Sequence, residues 1–329
     1  MDMQRPPLAL TMGEPAGIGG EIATKAWSAL RQEGPAFFFL GDPALLPGVP
    51  HRRIASPAEA ATVFPEALPV LSLNLPAPVT PGRPDARNAG PVIAAIERAV
   101  ALVQAGEAGA VVTNPIQKSV LTAAGFRHPG HTEFLAELAP GEGPPVMLLA
   151  AAGLRTVPVT IHQSLRSVIA RLDADLICRI ARATAAGLRR DFGITAPRLA
   201  LAGLNPHAGE DGTMGSEDRD IIAPAIATLR AEGIDARGPF PADTLFTPHA
   251  RAGYDVALGM YHDQALIPVK TLDMAGGVNV TLNLAVVRTS PDHGTALDIA
   301  GQGCADPGSL IAALRLAAQL AAHRRNQAA

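Results

Sequence analysis

Three histidines stand at comparable points along this chain. His162 follows the run VPVTI, His207 closes RLALAGLNP and His262 follows YDVALGMY, so each lies at or just past the carboxyl end of an apolar run. In open parallel sheets ligands bind outside those ends, because loops from several strands converge on one edge. Three imidazoles delivered there by separate strands suit a catalytic divalent ion, with a coordination position left for a substrate oxygen or nitrogen. Loop packing explains each histidine taken singly. The repeated placement brings the metal reading level with that one.

Other residues could meet an anion. GHTEFLAE at 130–137 puts His131 and Thr132 ahead of a helical pattern, where exposed first-turn amides attract a phosphate or carboxylate. An ordinary helix cap explains Thr132 equally well. Lys270, Asn279 and Arg288 supply an ammonium, an amide and a guanidinium close together in sequence, and a strand pair between them would turn all three toward one anionic substrate. The loop at 205–218 carries four acidic residues but lacks EF-hand spacing, so its acids read as solvated or helix-N-terminal charges. The glycines of MGEPAGIGGE at 12–21 either approach a ligand or turn the chain tightly. His128 and His293 read as loop histidines.

Composition removes several classes. A net charge of -3 lacks the basic surplus of a nucleic-acid binder, and no apolar run approaches the roughly 20 residues of a membrane-spanning helix. Two cysteines, Cys178 and Cys304, without CxxC spacing disfavour thiolate metal sites and a disulfide framework. No secretion signal is visible, so the expected compartment is the cytoplasm. Lysine occurs only at Lys25, Lys118 and Lys270 among 27 basic residues, which hints at roles that need a compact ammonium.

The elements that must position these residues alternate. Strands are expected at 8–12, 36–40, 110–113, 146–150, 157–161, 199–204, 256–260 and 278–284, and helices at 91–104, 173–190, 217–231 and 309–323, with Ser216 capping the third helix and Gly233 ending it. Residues 75–91 read as a long surface connection. The alternation predicts an α/β fold with mainly parallel strands.

MGEPAGIG, VTNPIQK, GHTEFLA, NPHAGEDGTMG, GPFPADTLF, YHDQALIPVK, GVNVTLNL and RTSPDHGTALDIAG together resemble the 4-hydroxythreonine-4-phosphate dehydrogenase family, in the family's order from residue 11 to about residue 303. The resemblance implies an isocitrate/isopropylmalate dehydrogenase-like fold: two α/β/α subdomains around a central cleft, 1–127 with 280–329 and 128–279. It implies NAD, a divalent metal (zinc, cobalt or magnesium) and a homodimer with shared active sites. It matches His162, His207 and His262 to metal ligands, and His131, Thr132, Lys270, Asn279 and Arg288 to substrate-binding positions. Lys270 and Asp243 are its candidates for moving protons. The implied reaction is oxidation and decarboxylation of 4-phosphooxy-L-threonine to 3-amino-2-oxopropyl phosphate in pyridoxal phosphate biosynthesis. TNPIQK at 113–118 and HQSLRSV after His162 depart from the family's usual forms, which keeps D-threonate or D-erythronate 4-phosphate and cyclic cis-diol carboxylates open as substrates. A non-catalytic metabolite binder, or an acyltransferase on a similar frame, are rivals of another class. The absence of a GxSxG nucleophile motif weighs against the acyltransferase.

Overall fold

The structure, a computed structural model, describes residues 6–128 and 130–328. In chain order its strands are β1 (Leu8–Thr11), β2 (Phe37–Gly41), β3 (His51–Arg53), β4 (Leu68–Ser72), β5 (Val111–Thr113) and β6 (Val146–Ala151). They continue as β7 (Leu154–Pro158), β8 (Arg198–Ala202), β9 (Asp235–Phe240), β10 (Val256–Gly259), β11 (Val278–Leu282) and β12 (Arg288–Pro291). The chain packs as two units, one running to Gly141 and resuming at Leu284, the other spanning Glu142–Asn283. The sequence-based boundaries at 127/128 and 279/280 differ most at the helix His131–Leu138. That helix lies in the first unit, where Gln104 Nε2 donates to Leu138 O at 3.1 Å and the Phe134 ring meets Phe126 edge-on at 5.0 Å.

In the first unit the strand order is β3-β4-β2-β1-β5-β12, and every pairing is parallel. Parallel strands covered on both faces read as continuous apolar runs, and Phe37, Phe38 and Phe39 of β2 are all fully buried. The chain leaves β1 for β2 on one side, while β5 pairs on the other, so the strand order reverses between β1 and β5. Helices Ala89–Gln104 and Gly308–Ala328 pack against this sheet.

The second unit orders its strands β11-β6-β7-β10-β8-β9, parallel from β7 to β9 and antiparallel at β11, β6 and β7. Helix Ala174–Phe192 starts with the Asp173 carboxylate accepting from Leu176 N at 2.7 Å and ends at Gly193 in the left-handed region (φ 68°). Two expectations shift here. The strand expected at 157–161 is β7, because Ala152 and Gly153, both with positive φ, make a two-residue turn that pairs Leu154 with Ala151 and pulls the strand forward. Ser216 does not cap the following helix. A π-turn at Asp218–Ile222 precedes Ala223–Ala231, and the Ser216 hydroxyl faces the Asp220 carboxylate. The helix does stop before Gly233, at φ 81°.

One of the three lysines has the role that its rarity suggests. Lys25 Nζ, on the helix Gly19–Leu30, donates to Glu21 Oε1 (2.9 Å), Gly303 O (3.0 Å) and Ala305 O (2.6 Å), filling all three donor directions of an ammonium. Glu21 Oε1 also accepts from Ala305 N at 2.8 Å, so the pair staples the 303–305 turn to the helix. Lys25→Met should lower stability to urea by about 1 kcal/mol, a charged hydrogen-bond contribution reduced because the side chain is one-third exposed. Lys25→Arg should fall between, since a planar fork cannot match three tetrahedral acceptors. An unchanged urea midpoint in both variants would mean the turn holds itself.

Candidate functional site

The second unit gathers part of the histidine set. The rings of His162 and His262 lie with centroids 5.8 Å apart, and His262 Nδ1 meets Asp263 Oδ1 at 2.8 Å. A carboxylate on one ring nitrogen fixes the orientation of an imidazole and leaves the other nitrogen for a ligand. Among the described residues, no three His, Cys, Asp or Glu side chains lie close enough together to hold an ion, so the trio meets as a pair with His207 apart. His262 opens the helix His262–Leu272, while His162 and His207 stand on exposed loops. Both loop histidines have left-handed backbones, φ 49° and 54°. Such conformations are uncommon for non-glycine residues and concentrate at functional sites.

The backbone around His207 is held by acids that do not read as anchors in the sequence. Asp218 is buried, not solvated: its Oδ1 accepts from Leu204 N (2.8 Å), and its Oδ2 from Asn205 N (3.1 Å) and Asn205 Nδ2 (2.9 Å). Glu217 Oε2 takes a further bond from Asn205 Nδ2 at 2.8 Å, which with local backbone amides lowers its pKa. A Cβ on Gly203 would come within 2.7 Å of Asp218 Oδ1 and 2.8 Å of Ala208 Cα, so the turn closes only over a glycine. In the same unit Lys270 sits half-buried in the last turn of its helix, Asn279 is half-buried on β11, and Asp243 is exposed in the short helix Ala242–Leu245.

The first unit collects polar groups at the carboxyl ends of β1, β5 and β12, and the Arg288 guanidinium reaches the last residue of β5 from the amino end of β12. Arg288, the first residue of β12, is 4% exposed and donates through Nε (3.2 Å) and Nη2 (2.7 Å) to Thr113 Oγ1 on β5. Burial lowers its pKa to about 10, which still leaves it a cation at neutral pH. His131 and Thr132 are the first two residues of the helix His131–Leu138. His131 Nε2 is out of solvent and has no hydrogen-bond partner. Burial, joined by the charge of Arg288, pushes the imidazole pKa from 6.5 down to about 3, so it is neutral. His128, a loop histidine, packs its ring 5.0 Å from both Phe126 and Phe134 and so braces the start of this helix.

Sequence reading passed over several residues here. Asn114 just after β5 is fully buried with its Oδ1 unpartnered, and so are Thr11 Oγ1 at the end of β1 and His293 Nε2 just after β12. Glu14 is buried, which raises its pKa against the Ala16 amide that lowers it. Unsatisfied buried polar atoms are few in native proteins, and their concentration at one strand edge marks a ligand site. By contrast, the glycines at 12–21 serve the chain itself: a Cβ on Gly13, Gly17 or Gly19 would meet a backbone carbonyl at 2.5, 2.9 or 2.5 Å, and one on Gly20 would overlap the Leu45 carbonyl. The only sequence signal for Asn114 and Glu14 is that each follows a strand.

Comparison with known proteins agrees along nearly the whole chain. The profile of the family described as pyridoxal phosphate biosynthetic protein PdxA matches residues 38–317. A curated relative from Methylorubrum extorquens, named 4-hydroxythreonine-4-phosphate dehydrogenase, is 59% identical over 97% of this chain and 95% of its own. A solved structure of the Klebsiella pneumoniae protein of that name superposes with a TM-score of 0.86 at 37% identity, covering 98% of this chain and 99% of that one. A terephthalate 1,2-cis-dihydrodiol dehydrogenase from Burkholderia xenovorans LB400 is less similar, with a TM-score of 0.63 at 32% identity over 96% and 98% of the two chains.

The depressed pKa of His131 has a sign that can be tested. Unfolded, this histidine takes a proton near pH 6.5; folded, it refuses one until about pH 3. Its neutral burial therefore leaves stability intact above pH 6.5 and removes it progressively as pH falls toward 3, with the unfolded state binding up to about one more proton. Urea unfolding from pH 7.5 to 4.5 should show a steeper loss for the native protein than for His131→Gln. Equal slopes would show that the imidazole is protonated in the folded state.

Proposed function

This chain is an oxidoreductase of the pyridoxal phosphate biosynthetic PdxA family, and on that premise we propose that it oxidises and decarboxylates 4-phosphooxy-L-threonine to 3-amino-2-oxopropyl phosphate with NAD and a divalent metal ion. When bound, the ion supplies Lewis acidity to the substrate hydroxyl and the nicotinamide accepts the hydride. The observation that carries the reading is the Arg288 guanidinium, buried beside a neutral His131 at a helix start, a setting suited to the anionic end of a phosphorylated acid. His131 stays uncharged and offers one hydrogen bond, so it orients an oxygen without adding charge. Thr132 and the first amides of its helix add donors to the same anion.

As ligand types the three imidazoles suit the nitrogen-preferring members of the zinc, cobalt or magnesium class, while among the described residues only two of them come together. His162, His207 and His262 are all neutral-type donors, two of them already side by side and one oriented by Asp263. For NAD the fit rests on the first unit, at the reversal of strand order between β1 and β5. There Asn114 Oδ1 lacks a donor such as a carboxamide N–H would bring, and the Glu14 carboxyl group suits ribose hydroxyls. In the second unit Lys270 and Asn279 are the proposed substrate contacts, and Lys270 or Asp243 the proposed carrier of protons. Assembly as a homodimer is supported by exposed apolar side chains on the second unit, Leu165 and Ile169 one helical turn apart and Ile267, Leu272 and Met274. The proposed compartment is the cytoplasm; no helix among the described residues is long and apolar enough to cross a membrane.

A substrate panel scored by reduced nicotinamide should rank 4-phosphooxy-L-threonine above D-threonate and D-erythronate 4-phosphates and above a cis-diol carboxylate. On the preferred substrate, Arg288→Ala should lose about 10- to 150-fold in kcat/KM, the equivalent of one charge-assisted contact, with Arg288→Lys recovering part of it. Preference for an unphosphorylated diol would move the assignment to the dihydrodiol branch of the likeness. His207→Ala should abolish turnover and weaken metal retention while circular dichroism and the urea midpoint stay close to native, because the side chain is exposed and leaves no cavity. Full activity after exhaustive chelation would remove the metal from the mechanism.

A further inference from the structure

We propose that Thr113 is a positioning residue of the anion site: its hydroxyl oxygen sets the plane of the Arg288 guanidinium, and its hydroxyl hydrogen is kept for an oxygen of the bound anion. The proposal rests on the reading of Arg288 as the contact for the anionic end of the substrate. Sheet register brings the two residues together. Arg288 of β12 stands opposite Val111 of β5, and side chains two residues apart on a strand share a face, so Val111, Thr113 and Arg288 lie on one face of the sheet. Thr113 is two residues farther along, about 6.6 Å of strand, a span that an extended arginine side chain covers. Its Nε and Nη2 reach Thr113 Oγ1 at 3.2 and 2.7 Å. On the other side, Thr11 of β1 stands opposite Thr113 on the same face. Two residues earlier that face is apolar, with Ala9 and Val111 fully buried. The two hydroxyls therefore mark the change from core to ligand edge.

Donor and acceptor counts decide what the Thr113 hydroxyl has left. A threonine oxygen offers two lone pairs and one hydrogen. Arg288 takes both lone pairs, so the hydrogen points away from the guanidinium. Among the described residues no acceptor receives it; Thr11 Oγ1, opposite in register, has no partner of any kind. Because Thr113 is fully buried, a hydrogen without an acceptor costs free energy until a ligand oxygen arrives. The type of residue that holds the arginine matters as well. Arg87, Arg182 and Arg198 are each gripped by a carboxylate, of Asp85, Glu232 and Asp255, which offsets their charge. Thr113 orients a guanidinium without neutralising it, as a group that must meet an anion requires.

The test is steady-state kinetics of the full chain on 4-phosphooxy-L-threonine, saturated with NAD and divalent metal. Thr113→Val keeps the side-chain shape and removes the hydroxyl. It should raise the substrate KM about tenfold, the lower end for a hydrogen bond to a charged group. Both kcat and the KM for NAD should stay within about twofold of native, because an anion held equally in ground and transition states affects binding alone. Thr113→Ser keeps the hydroxyl and should bind substrate as the native chain does. In an Arg288→Ala background Thr113→Val should add little, since the two residues act as one unit. A substitution that only loosened the fold would lower kcat, raise both KM values and add its cost in either background. If Thr113→Val does not fold, Thr113→Ala is read by the same measures. Native substrate KM in the folded variant, full additivity with Arg288→Ala, or a Thr113→Ser as poor as Thr113→Val would overturn the proposal while Arg288→Ala alone still raises KM. An Arg288→Ala chain with native KM, or a native chain that does not turn over this substrate, would overturn the anion reading and the proposal with it.

Discussion

A carboxylate removed from water must be met by donors, and the second unit is arranged around one that is. Asp218 takes the amides of Leu204 and Asn205 just where β8 ends, so two backbone groups and one buried charge satisfy one another. Everything local follows from that exchange. Residue 203 has to be glycine, because the carboxylate occupies the space of a side chain. The loop beyond must reverse at once to bring Asp218 back beneath its own origin, which compresses residues 207–211 into a left-handed turn. Gln264 meets the Gly203 carbonyl from the other side and ties the helix that starts with His262 to the same point. In the first unit the buried ion has the opposite sign: Arg288 is held by Thr113, and a neutral imidazole rather than a second cation stands beside it.

The central strands were readable because burial on both faces leaves an apolar run. LALT, FFFL, VVT and VALG show it, and these became β1, β2, β5 and β10 within a residue or so. Strands without that signature were not. β3 is the exposed tripeptide HRR at a sheet edge, and β9 is a mostly unburied edge whose DARGPF contains glycine and proline. β4 carries Pro69, which argues against a strand in any single sequence, and β12 is the polar RTSP, fully buried because its neighbours and not its own composition enclose it. The connection at 75–91 is pinned by Asn88, whose amide bonds both N–H and C=O of Ala77. A polar residue in a polar loop gives no hint of that.

For the site, residue type and strand-end position singled out three histidines, of which the structure brings His162 and His262 together and leaves His207 apart. The buried state of Arg288 was not visible, since arginine in a sequence reads as surface. Nor was the role of Asp218, 13 and 14 residues from its partners in a loop whose other acids, Glu210 and Asp211, are indeed exposed. Gln264 and Asn114 were missed for a related reason: an amide side chain can cap, solvate or bridge, and only the approach of remote backbone decides which. Spacing reports what one element does by itself, whereas these residues act between elements.

The left-handed turn at 207–211 has a thermal consequence. His207, Ala208, Glu210 and Asp211 each hold φ between 42° and 54°, a conformation that disfavours an L-residue by about 1–2 kcal/mol. Their sum is carried by a handful of hydrogen bonds rather than by apolar burial, since most of these side chains face solvent. Regions of that kind open at a lower free energy than the sheet beneath them. On heating, this corner should exchange its amides and release His207 while β8 and β10 are still folded, so a function that used His207, as proposed, would be lost before the protein melts.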